Sequence, residues 1–151
     1  MKLAVKIIKW TFAAICLLIF LTAVSIPIVN NCIADNVEKE LRSLPLPEST
    51  ELVDSISAAG KLSGNGNGMQ YLGAILVESD LSIEELTEYY AQYKIDGRDI
   101  YVNVQNGERV ELSEHRDLLF DIDSAHGDCF IVYSWGKSDY VLSELDLRGS
   151  Y

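Results

Sequence analysis

Acidic residues are missing from the first thirty positions of this chain. All 23 lie beyond Asn30, whereas three of the 12 basic residues, Lys2, Lys6 and Lys9, precede it. The part beyond Asn30 carries 9 basic against 23 acidic groups, a formal charge of −14, a sign that repels nucleic acid and anionic lipid headgroups. Cysteine is scarce. Of three, Cys16 falls in an apolar run, and Cys32 with Cys129 are too few for a disulfide framework. A single bridge between them is the alternative to a reduced Cys129, which in "DCFIVYSW" reads as a strand residue packed like a small apolar group. Histidine occurs twice and no Gly-x-Ser-x-Gly elbow exists, so a serine or cysteine nucleophile lacks an evident base.

Charge of either sign is also absent between Trp10 and Val29. "WTFAAICLLIFLTAVSIPIV" is twenty residues long, the length that a bilayer's hydrocarbon core of about 30 Å demands. We read it as a transmembrane helix. The lysines before it and Asp35, Glu38 and Glu40 after it place the N-terminus in the cytoplasm and the bulk of the chain outside. Pro27 is tolerated near the outer end. The rival is a cleaved secretory signal with Ala23-Val24-Ser25 as its small-residue site. Lipoprotein processing fits poorly, because Ile15 and Asn31 precede Cys16 and Cys32. "LPEST" at Leu46 to Thr50 lacks the Thr-Gly pair of a sortase signal.

Past the membrane, Ile33, Val37 and Leu41 recur every four residues and Glu38 pairs with Arg42 at i,i+4, so the helix runs on until Pro45 and Pro47 stop it. The expected division is a basic cytoplasmic tail (1–9), a transmembrane helix (10–30), a juxtamembrane helix with a proline spacer (31–50) and an extracytoplasmic domain (51–151). Within the domain, "ELVDSIS" shows no clean face, whereas "MQYLGAILV" is nearly all apolar, as a buried central strand should be. "DLSIEELTEYYAQYKIDG" carries a Ser82-Glu85 capping box, a Leu81–Leu86 staple and a stripe of Ile83, Leu86, Tyr90 and Tyr93; Lys94 and Gly97 fit its C-terminus. "DIYVNVQNGERVEL", "DLLFDID" and "DCFIVYSW" read as further strands. The expected fold is α+β: the membrane helix, then a small, mainly antiparallel sheet of four to six strands with one helix on one face.

Gly64, Gly66 and Gly68 stand immediately before an apolar stretch. A phosphate cradle must open a helix, and here a strand follows with no Lys-Ser/Thr, so the glycines read as a hairpin turn. "DIDSAHGD" gathers Asp121, Asp123, His126 and Asp128, weak candidates for a cation, yet Ala125 and His126 occupy positions five and six of a calcium loop, where a ligand and a glycine belong. An acidic strand edge gives the same letters. His115 reads as a surface residue beside Glu114 and Asp117. Tyr89 and Tyr101 are the aromatics expected at the surface, as weak candidates for binding. No cofactor and no catalytic residue is indicated.

"GNGNGMQYLGAILVESDLSIEELTEYY" and "FIVYSWGKSDYVLSELDLRGS" resemble small membrane-anchored proteins of Gram-positive, clostridial-type bacteria that carry no assigned function. The lack of any Asn-x-Ser/Thr acceptor agrees with a bacterial surface. The resemblance implies a single-pass envelope protein and transfers no activity. From the residues, the expected function is a non-enzymatic, membrane-tethered binding module with a possible envelope protein partner. The alternatives are an envelope hydrolase working through surface carboxylates, and an accessory subunit of a membrane complex.

Overall fold

The computed structural model describes residues 2–60, 68–105, 109–110, 118–120, 128–137 and 139–146. Helix α1 (Lys2–Ser43) is unbroken for 42 residues, Pro27 included. Its hydroxyls are satisfied within the helix: Thr11 Oγ1 donates to Ile7 O (3.0 Å), Thr22 to Leu18 O (2.9 Å) and Ser25 to Thr22 O (2.9 Å). That pairing lets them lie in hydrocarbon at little cost. The first part is exposed almost throughout, and α1 is the one helix among the described residues long and apolar enough to cross a membrane. From Ile26 onward a buried stripe begins: Ile26, Asn30, Ala34, Val37, Leu41, at spacings of three and four.

That stripe lies on a four-stranded antiparallel sheet made of β1 (Thr50–Gly60), β2 (Gln70–Ser79), β3 (Tyr101–Val104) and, after the two short strands below, β6 (Cys129–Gly136), in the order β1-β2-β6-β3. β1 and β2 pair from Thr50↔Ser79 to Gly60↔Gln70, so the glycine run links two antiparallel neighbours; Gly64 and Gly66 themselves lie outside the described residues. A register break between Leu52 and Asp54 switches the alternation of β1 from one face to the other, which is why "ELVDSIS" shows no consistent face. β2 is buried along nearly its whole length, as a central strand covered on both sides must be.

One face of the sheet carries Tyr71, Ile75, Val77, Phe130, Val132 and Val102 and packs against both α1 and α2 (Ile83–Tyr90) in a single cluster. The α2 helix therefore covers one face as expected, and the second half of α1 shares that face with it. The opposite face buries Leu72, Ala74, Leu76, Ile131 and Tyr133 with Phe120. Phe120 follows a separate two-stranded ladder of β4 (Arg109–Val110) and β5 (Leu118–Leu119). Helix and sheet approach closely at Gly73, where a Cβ would lie 2.4 Å from Glu38 N and 2.6 Å from Val37 C.

The capping box is present in full: Ser82 Oγ accepts from Glu85 N (3.3 Å), and Ser82 N donates to Glu85 Oε2 (2.8 Å). The helix ends at Tyr90, earlier than Lys94 and Gly97 suggested. Asp96 (φ 48°) and Gly97 (φ 74°) instead form a tight turn closed by Ile95 N to Arg98 O (3.1 Å) and Arg98 N to Ile95 O (2.9 Å). Asp-Gly is the pair such a two-residue turn favours, so the glycine signal belonged to a turn five residues beyond the helix.

Candidate functional site

Where α1 leaves its apolar run, polar groups meet in the interior. Asn30 is fully buried. Its Oδ1 accepts from the Tyr71 hydroxyl (2.8 Å), and its Nδ2 donates to Asp146 Oδ2 (2.9 Å) and Ser143 O (3.4 Å). Asn30 is presented by the stripe of α1, Tyr71 by the start of β2, Ser143 by a 3-10 turn (Ser143–Leu145) packed on α1, and Asp146 by the residue that caps that turn. Glu144 of that turn accepts Met69 N (2.9 Å), tying it also to the start of β2. Burial raises the Tyr71 phenol above its ordinary range; a bond with Ser143 opposes the rise, and the charges of Glu144 and Asp146 add to it. The cluster joins three distant parts of the chain by filled hydrogen-bonding positions on Asn30, which makes it a fixed joint.

At the other end of the sheet, a cleft of about 390 Å³ is lined by Ser49, Thr50, Glu51, Glu78, Ser79 and Asp80. Glu51 and Glu78 are direct cross-strand partners, and Glu51 and Asp80 are exposed. The hydroxyls serve the turn: Thr50 Oγ1 and Ser79 Oγ share a bond of 2.7 Å, and Ser79 Oγ accepts from Leu81 N (3.1 Å). Among the described residues that line it there is no histidine, lysine or arginine to activate a hydroxyl or orient a carboxylate. A second hollow, of about 550 Å³, lies along α1 by Ile33, Asn36, Lys39 and Asp96.

Of the residues singled out from sequence, Tyr89 and Tyr101 lie apart: Tyr89 packs with the core cluster of one sheet face, and Tyr101 stacks on Tyr133, which belongs to the cluster of the other. Tyr89 is half-buried: its hydroxyl donates to Pro45 O (3.0 Å) and its ring meets Tyr90 edge-on at 5.2 Å. Tyr101, by contrast, is 44% exposed and stacks on Tyr133 at 5.4 Å. Asp121, Asp123, His126 and His115 lie outside the described residues, and Asp128 is exposed, its carbonyl accepting from Ser79 N (3.1 Å). Among the described residues no group of three or more His, Cys, Asp or Glu is placed to hold a metal. Among the described residues no disulfide joins Cys32 and Cys129; Cys129 packs against the second core face, and burial pushes its thiol up.

Asn30, Tyr71, Ser143 and Asp146 drew no attention in the sequence. The one local signal was that Asn30 continues the four-residue spacing from Ile26 to Ala34, which puts an amide on the buried stripe. Tyr71 lies 41 residues away and Ser143 and Asp146 more than a hundred, out of reach of any local pattern. No family model, no curated protein and no solved structure matches the chain.

Proposed function

We propose that the protein is a single-pass, membrane-tethered binding module of a bacterial cell envelope, its N-terminus cytoplasmic and its acidic α+β body on the outer side. The observation that carries this reading is the continuity of α1, which passes without interruption from an exposed apolar run into the core of the body. Anchor and body are thereby one rigid unit, and a rigid body held near a membrane suits recognition of a neighbour at fixed height. The exposed face of the Tyr101–Tyr133 stack on the edge strand β3 is the surface we assign to a protein partner.

Two measurements test this. External protease added to intact protoplasts should digest the body while the N-terminal tail stays protected; the reverse pattern overturns the orientation. Tagged full-length protein recovered from its native membrane should bring down a defined envelope protein, and Tyr101→Ala should release it. Retention by the Tyr101→Ala protein would remove that surface from the reading. The hydrolase alternative has the Glu51–Glu78 pair in its favour, and it predicts loss of glycan or peptide cleavage in Glu78→Gln.

A further inference from the structure

We infer that the segment 139–146 is a second membrane contact, in which Val141, Leu142 and Leu145 enter the boundary layer of the same bilayer that α1 crosses. The inference rests on α1 spanning that bilayer. Twenty residues of helix rise about 30 Å, so an apolar run filling the hydrocarbon core sets Asn30 at its outer boundary. The segment is pinned at that level: Asn30 Nδ2 donates to Ser143 O and to Asp146 Oδ2. Beside those bonds, Val141 is 88% exposed and Leu145 61%, with Leu142 exposed too.

An aliphatic cluster so exposed needs a partner, and the nearest apolar phase is the one around α1. The last turn of the run is already divided between protein and surroundings. Ile26 is 3% exposed, whereas Ile28 and Val29 on its other sides are open. Trp135 lies at the same end of the sheet: it pairs with Leu72, next to the Tyr71 whose hydroxyl reaches Asn30, and it too is partly exposed. Tryptophan favours the membrane–water interface. Two of the segment's three acids are tied to the body, Asp146 buried on Asn30 and Glu144 holding Met69 N, while Asp139 at its start is exposed. Apolar insertion rather than charge attraction is therefore the chemistry, and a zwitterionic surface suffices.

The test uses the full chain in phosphatidylcholine vesicles whose acyl chains are brominated near the headgroup. In Trp135→Phe, the sole tryptophan, Trp10, reports on the other end of the apolar run. In Trp10→Phe/Trp135→Phe with Val141→Trp, the probe reports on the segment, and Leu145→Trp in the same background repeats the measurement at an independent position. Val141→Trp should lose about as large a share of its emission as Trp10, because both would sit at a hydrocarbon boundary. The loss should be equal in vesicles with added phosphatidylglycerol. Unquenched emission from both segment probes alongside quenched Trp10 overturns this inference and leaves the anchor intact. An unquenched Trp10 overturns the anchor itself.

Discussion

Gly73 decides how close α1 can lie to the sheet. The atoms its Cβ would strike belong to the α1 backbone at Val37 and Glu38, which cannot rotate aside. Gly73→Ala should therefore cost about 1–3 kcal/mol of stability, measured by denaturant unfolding, through forced separation of helix and sheet. Tyr90 is the opposite case. It is fully buried in the shared core and its hydroxyl has no hydrogen-bond partner among the described residues, while desolvation pushes its phenol up to about 12. Removing an unsatisfied buried hydroxyl removes its desolvation penalty, so Tyr90→Phe should gain about 1 kcal/mol. Since the folded state holds this phenol neutral beyond the ordinary value near 10, its contribution is intact below pH 10 and is lost as pH rises toward 12. Alkaline unfolding followed by circular dichroism should be less steep in Tyr90→Phe; an unchanged slope would mean the phenol titrates normally.

At the scale of elements, α2 was the most legible part of the chain because its information is local. Ser82, Glu85 and the Leu86–Tyr90 stripe all act within one or two turns. Ser82→Ala should cost about 1 kcal/mol by leaving the first-turn amides unpaired. Glu85 is held below its ordinary value, chiefly by the Ser82 backbone amide and then by the Ser82 side chain. A carboxylate so depressed stabilises the fold above pH 4.5 and loses that contribution as pH falls through its folded value. Glu85→Gln, which keeps an acceptor for the amide, should flatten the acid limb of the stability profile while leaving neutral stability little changed. The buried β2 was legible for the same reason, a run of apolar residues too long for a half-exposed strand. The end of α2 was not, because Gly97 fits a helix cap and an Asp-Gly turn equally, and only the Ile95–Arg98 pairing separates them. β1 was blurred by its register break, and the joint at Asn30 by partners that arrive from the far end of the chain.

For the whole molecule, the question is where the foldable unit begins. A boundary at the prolines looks natural in sequence, since composition and charge both change there. The packing sets a different one. Ala34, Val37 and Leu41 are buried in the cluster that holds Tyr71, Ile75 and Val77, and no described residue of the spacer replaces them. Full burial of a valine or leucine side chain stabilises by about 2 kcal/mol, so losing Val37 and Leu41 alone removes about 4 kcal/mol. Whole domains of this size are stable by only about 5–15 kcal/mol. A fragment beginning at Glu51 should then lack a cooperative thermal transition and bind hydrophobic dye. A fragment beginning at Ile26 keeps the entire buried stripe, the Asn30 joint and the Gly73 contact, and should melt cooperatively without any membrane. Differential scanning calorimetry of the two fragments distinguishes the outcomes. If the Glu51 fragment melts as sharply and at the same temperature as the Ile26 fragment, α1 contributes nothing to the core, and the rigid coupling of anchor to body on which the proposed function depends is lost with it.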